Sequence, residues 1–217
     1  MISGRKAGAV VRAFFAAPLD PPGREACRTL AARLAAGPHG DGVRWTRPEG
    51  YHVTLRFLGN VEVERLPELT RLVAQRAGPL APFRVALGAA RVFPDRRNPR
   101  VVVVELVPEV PLAGLAARVE EGVVAAGLAP ERRRFRAHLT LGRVRGRHIP
   151  PLEGVAADAP VLPVEEVVLY RSDPDDAGTT YTPLDRIALG AAPGGDGTGP
   201  DGPAQISPPS IHRKETT

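Results

Sequence analysis

The chain has 217 residues, 43% of them hydrophobic, which is enough for one compact domain or two small lobes with a shared core. Its formal charge of +5 rests almost wholly on arginine, because Lys6 and Lys214 are the only lysines; the bias suits bidentate phosphate contacts and equally suits a genome-wide coding preference. A lone cysteine, Cys27, excludes an intrachain disulfide and a thiolate zinc cluster, and no window approaches a transmembrane span, so the expectation is a soluble, cytoplasmic monomer.

At the amino terminus, Arg5-Lys6 followed by apolar Ala9 to Ala17 imitates a signal peptide, but Arg12 interrupts the run. Val10 to Ala17 instead predicts a buried strand. Asp20-Pro21-Pro22 supplies a cap and starting prolines for a helix, Cys27, Leu30 and Leu34 follow at helical spacing, and Gly37-Pro38 ends it. A strand is expected over Tyr51 to Leu58, an amphipathic helix through Leu66, Leu69 and Val73 to Gly78-Pro79, and a strand over Phe83 to Val92. The second half repeats that order. Val101 to Val107 is a β-prone run, Pro111 opens a helix with Leu112, Leu115, Val119 and Val123 on one stripe, Gly127 closes it, and Phe135 to Val144 is a strand. The recurrence argues for duplicated lobes, although the halves share few letters. Val164 to Arg171 and Thr180 to Leu189 predict two more strands around a wide loop, Asp173-Pro174-Asp175-Asp176-Ala177-Gly178. From Gly190 onward Gly, Pro, Ser and Asp displace apolar residues, so residues 1–189 are expected to fold and 190–217 to form a disordered tail.

The strongest signal is a duplicated tetrapeptide, His52-Val53-Thr54-Leu55 and His138-Leu139-Thr140-Leu141. On a strand, residues two apart share a face, so each copy presents an imidazole beside a hydroxyl and turns its apolar residues toward a core. One H-x-T is weak as a motif; two copies, each followed by Leu, are not. The same parity adds Arg56 to the His52–Thr54 face and Arg136 to the His138–Thr140 face, either of which could also snorkel outward.

If the two strands meet, one groove holds two imidazoles, two hydroxyls and up to two guanidiniums. A phosphodiester suits that set. In-line displacement at phosphorus needs the attacking and leaving oxygens on opposite sides, and histidine's ordinary pKa of about 6.5 lets one ring take a proton while the other gives one. Threonine and arginine donors would hold the remaining oxygens as charge builds. A zinc site needs a third protein ligand that neither motif supplies, so no metal or other cofactor is expected. His39 in a Gly-rich turn, His148 in a basic loop and His212 in the tail look incidental, and Arg132-Arg133-Arg134 is either a steering patch for polyanions or a solvated face.

At these motifs the chain resembles the two-histidine (2H) phosphoesterase superfamily, and within it the RNA 2′,3′-cyclic phosphodiesterases, also called 2′-5′ RNA ligases of the LigT type. The resemblance runs from about Val11 to Leu189. It includes Arg12-Ala13-Phe14-Phe15-Ala16, Trp45-Thr46-Arg47-Pro48-Glu49, the strands beginning at His52 and His138, Leu169-Tyr170-Arg171-Ser172 and Tyr181-Thr182-Pro183-Leu184. The chain departs from the family pattern at Gly50-Tyr51 and at Ala137. By resemblance His52 is the general acid, His138 the general base, and Thr54 and Thr140 hold the phosphate. Arg143 matches an arginine of the second signature; strand parity puts it opposite His138, unless Gly142 introduces a bulge. The implied fold is α+β, with two pseudo-symmetric lobes, each a mainly antiparallel sheet with outer helices, facing across a central groove. The implied activity is hydrolysis of RNA 2′,3′-cyclic phosphate ends to 2′-phosphates, with weak reverse 2′-5′ ligation. Two alternatives remain open: hydrolysis of a small cyclic nucleotide or an ADP-ribose cyclic phosphate, and a non-catalytic RNA-binding module.

Overall fold

The computed structural model describes residues 9–146, 148–156, 161–175 and 178–191. Two antiparallel sheets carry the chain. The first runs in the order β3-β1-β8-β9, with β1 Val10–Pro18, β3 His52–Glu62, β8 Glu166–Asp175 and β9 Gly178–Ala188. The second runs β2-β6-β5-β4-β7, with β2 Val43–Trp45, β4 Phe83–Phe93, β5 Val101–Val107, β6 His138–Val144 and β7 Leu162–Val164. Helices α1 (Pro21–Ala36), α2 (Leu66–Ala77) and α3 (Glu109–Ala125) complete the fold. The two-lobed α+β architecture is the one expected.

Local chemistry explains the elements. Asp20 caps α1 by accepting a hydrogen bond from the Gly23 amide at 3.0 Å, while the prolines occupy first-turn positions whose amides have no helical partner. Cys27, Leu30, Ala31 and Leu34 form its buried stripe. In α3 the predicted stripe, Leu112, Leu115, Val119 and Val123, is wholly buried. The helix starts earlier than Pro111, at Glu109, because a proline is tolerated within a first turn. Gly122 lets α3 lie directly on α2, since a Cβ there would stand 2.6 Å from the Val73 Cα.

Two of the three helices leave the sheet that precedes them, while α2 stays against β9 of its own sheet. After β1, α1 crosses to pack near β2 and β6 of the second sheet, and after β5, α3 crosses to pack on α2 and on β3 of the first. Each lobe is therefore covered by an element from the other half of the chain. One continuous core results, running from Phe15 and Val53 to Leu139 and Leu141.

Four expectations about extent are corrected. Residues 173–175 and 178 of the expected wide loop are strand: β8 and β9 stay paired as far as Asp175 opposite Gly178, residues 176 and 177 lying outside those described. Strand β6 begins at His138, and of the segment before it the Ala137 carbonyl still accepts from the Leu106 amide of β5 at 3.2 Å. Strands β2 and β7, of three residues each, are too short for an alternation to register in sequence. The tail does not begin at Gly190: the Gly190 amide bonds the Leu80 carbonyl at 2.8 Å and the Ala191 amide bonds the Gly78 carbonyl at 3.0 Å. The rest of the tail, 192–217, and the start of the signal-like segment, 1–8, lie outside the described residues.

Candidate active site

Both motifs alternate as strand parity requires. Val53, Leu55, Leu139 and Leu141 enter the core, while His52, Thr54, His138 and Thr140 are half-buried on the opposite faces. The two strands come close enough for a charge on His138 to oppose one on His52.

The two imidazoles are held by the same device. His52 Nδ1 lies 2.8 Å from the carbonyl oxygen of Gly50, and His138 Nδ1 lies 2.7 Å from that of Arg136. A carbonyl oxygen only accepts, so in each ring Nδ1 carries the hydrogen and donates it to the residue two positions earlier. The neutral rings thus keep their lone pairs on Nε2. For His52 that atom is 3.1 Å from Thr54 Oγ1, whose hydroxyl donates to it.

Packing sets the proton affinity. Phe14 of β1 stands 4.8 Å from the His52 ring, and Tyr181 of β9 meets it edge-on at 4.9 Å. Burial among these rings pushes the His52 pKa from 6.5 to about 4, against the pull of the Gly50 carbonyl and with help from His138. His138 has a lighter aromatic wall, Phe93 at 5.0 Å. Burial lowers its pKa as well, opposed by the Arg136 carbonyl and reinforced by the Arg136 guanidinium.

The groove has two unlike depressions with Thr54 lining both. On the His138 side, a cavity of about 370 Å³ is walled by Phe57, Phe93, Phe135 and the small α3 residues Ala113, Ala116 and Ala117. On the other side, a cavity of about 420 Å³ holds His52, Thr140 and three arginines, Arg12, Arg44 and Arg143.

The expected arginines fare differently. Arg143 reaches the groove because the β5–β6 register slips between Val102 and Val103, leaving Leu141 with no β5 partner. Leu141 and Gly142 are both buried in succession, and Arg143 is thereby turned onto the face of His138. Arg136 lies just outside the strand; its guanidinium covers the Phe93 ring at 4.1 Å and lines the His138 depression. Arg56 does line the His138 depression, but its donors are already taken. It is committed to Glu120 of α3, to the carbonyl of Phe57 and, at 2.5 Å, to the carbonyl of Ala129, so it is a tether between β3 and α3 rather than a free phosphate donor. Of the basic triplet, Arg133 is paired with Glu131 at 3.2 Å. Cys27 is buried in the core with its thiol pushed up to about 12. Among the described residues, no group of three His, Cys, Asp or Glu side chains is placed to hold a metal ion. His39 and His148, expected to be incidental, stack on each other at 5.2 Å away from the groove.

Sequence reasoning missed Phe14, Tyr181, Arg12 and Arg44. Arg12 and Phe14 do stand two apart on β1, but the unbroken burial of Ala13 to Ala17 hides that alternation.

A family model described as LigT-like phosphoesterase matches this chain twice in succession, over residues 18–103 and 104–181, so that each match contains one H-x-T-L motif. An RNA 2′,3′-cyclic phosphodiesterase of Geobacillus stearothermophilus is 32% identical over 159 residues, 71% of this chain and 51% of that relative. The chain thus spans about half the length of that relative. Another of the same description, from Methanothermobacter thermautotrophicus, is 31% identical over 187 residues, 82% of this chain and 99% of its own length. Among solved structures, TT0787 of Thermus thermophilus superimposes with a TM-score of 0.71 at 29% identity, covering 82% of this chain and 98% of that one. No helix among the described residues is long and apolar enough to cross a membrane.

Proposed function

The chain belongs to the LigT-like phosphoesterase family, and from that premise we propose that it hydrolyses RNA 2′,3′-cyclic phosphate ends to 2′-phosphates by acid–base catalysis between His52 and His138. The relatives' description as RNA 2′,3′-cyclic phosphodiesterases supports the substrate class. The observation that carries the mechanism is the pair of carbonyl-anchored rings. With each Nδ1–H fixed by a backbone carbonyl, each Nε2 is the atom free to exchange a proton with substrate. His138 takes a proton from water, His52 gives one to the departing O3′, and the Thr54 and Thr140 hydroxyls with Arg143 hold the non-bridging oxygens. In the free chain His52 is neutral near pH 7, and the bound phosphodiester anion raises its proton affinity. Arg136 supplies charge at the edge of the His138 depression. Weak 2′-5′ joining is the same displacement with the 5′-hydroxyl of a second RNA end attacking phosphorus in place of water, O3′ again leaving with the proton from His52. The proposal includes a cytoplasmic, monomeric enzyme.

The test is turnover of 2′,3′-cyclic nucleotides and of short RNA with a cyclic phosphate end, by wild type, H52A and H138A. Each substitution is expected to lower kcat by about 10²–10⁴-fold while the circular dichroism spectrum is retained. A folded variant with near-normal turnover removes that ring from the mechanism. Binding of RNA without turnover by wild type points instead to a binding module.

A further inference from the structure

On the His52 side of the groove three guanidiniums share one cavity. Arg12 of β1, Arg44 of β2 and Arg143 of β6 line it, and among the described residues no carboxylate does. Several arginines elsewhere on the surface do meet carboxylates: Arg28 with Glu25, Arg96 with Glu153, Arg118 with Glu121, Arg186 with Glu166. The contrast is sharpest in the β2–β6 ladder, where Arg44 is the direct partner of Arg143. Cross-strand partners hold their Cβ atoms about 5 Å apart, and like charges so placed are destabilising. Half-burial of Arg44 adds to the cost.

Nor can the ladder relax to separate them. Gly142 keeps β2 pressed on β6, since a Cβ there would stand 3.0 Å from the Arg44 carbonyl oxygen and 3.2 Å from the Trp45 Cα. A fold that breaks a local rule without any internal compensation is compensated by something it binds. The ligand chemistry follows from the donors: guanidiniums that lack carboxylates, beside the Thr46 and Ser172 hydroxyls, suit a phosphate.

We propose that Arg12 and Arg44, beside the Arg143 that holds the reacting phosphate, bind a second phosphate of the substrate, the one attached to the 5′ side of the terminal ribose. This rests on the two-histidine reading above. With His52 protonating O3′, the ribose lies on the His52 side, and its 5′ substituent enters the arginine-lined cavity while the nucleophile arrives from the His138 side. The chain then selects oligonucleotide ends, or 5′-phosphorylated cyclic nucleotides, over cyclic nucleosides that carry only the reacting phosphate.

Calorimetric binding of two product analogues tests this without requiring turnover. Wild type is expected to bind adenosine 2′,5′-bisphosphate at least about tenfold more tightly than adenosine 2′-phosphate, one charge-assisted contact being enough for that ratio. R44A and R12A are each expected to lose most of that ratio. Should R44A fail to fold, cleavage by wild type of a cyclic-phosphate-ended dinucleotide, compared with its neutral methylphosphonate-linked counterpart, reads the same contact. There kcat/KM is expected to fall about tenfold on neutralising the link. Equal affinity for the two nucleotides, an unchanged ratio in both variants, or indifference to the neutral link overturns the proposal. A bisphosphate preference in a protein that cleaves no cyclic phosphate leaves this inference standing and removes the catalytic one.

Discussion

Replacing Phe14 with alanine should release the His52 pKa. Phe14 is 2% exposed, its ring lies 4.8 Å from the imidazole, and it also lines the arginine-rich cavity, so its removal lets water reach the ring. In wild type, burial accounts for the fall from 6.5 to about 4, which corresponds to roughly 3 kcal/mol favouring the neutral ring, an upper bound because one edge of the ring meets the groove. Hydration in Phe14→Ala should recover at least about one pKa unit of that shift. The sign for stability follows. The unfolded chain binds a proton near pH 6.5 and the folded chain only near 4, so the contribution is complete above about pH 6.5 and is lost as pH falls toward 4. Phe14→Ala should flatten that slope while lowering stability at pH 7 by about 3 kcal/mol or more through lost packing. NMR titration of the His52 ring proton, with His138 as the internal control, measures the shift. A wild-type His52 that titrates near 6.5, or a variant that leaves it near 4, would refute burial as the cause.

Glu120→Ala should lower stability by about 2–3 kcal/mol in urea denaturation, because it strands the Arg56 guanidinium, whose side chain is only 10% exposed; a loss below about 0.5 kcal/mol, the range of an exposed pair, would mean that the tether is ornamental. Turnover should withstand EDTA, since the proposed steps use only imidazole, hydroxyl and guanidinium groups. Complete loss on chelation with recovery on adding a metal would end the two-histidine mechanism as written.

The features legible in the sequence are those set by local rules. The Asp20 cap, the α3 stripe and the facing of both H-x-T-L segments depend on residues within one helix or one strand, so spacing alone discloses them. The role of Arg56 was not legible, because Glu120 and Ala129 approach it only after α3 crosses onto the first lobe. Arg44 was missed because β2 has three residues and exists only as an edge on β6. Arg143 is intermediate. Gly142 marks a place where the register can slip, but the slip itself is defined by how Val102 and Val103 meet Thr140 and Gly142. Division of the groove into a cavity whose arginines meet no carboxylate and a depression whose arginines are partly paired depends on strands of both sheets and on α3 at once, and no window of sequence contains it.

Duplication gives two rings with the same anchor, so symmetry alone cannot say which is acid and which is base; the surroundings must. Three arginines with no carboxylate beside them line the His52 cavity, whereas the more apolar His138 depression carries Arg56 and Arg133 already paired with Glu120 and Glu131, together with Arg134 and Arg136. A substrate with its charged strand on the arginine side brings anions closest to His52, which raises the pKa of that ring most and protonates it on binding. Water is then activated by His138 from the opposite side, and in-line geometry breaks the bond to O3′. The product is therefore expected to be the 2′-phosphate, and binding of the cyclic substrate near pH 7 should take up close to one proton, measurable by calorimetry in two buffers of different ionisation enthalpy. Phosphorus NMR distinguishes the product isomers. A predominance of 3′-phosphate would reverse the two roles, with His52, the more deeply depressed ring in the free chain, acting as the base that its pKa of about 4 already favours.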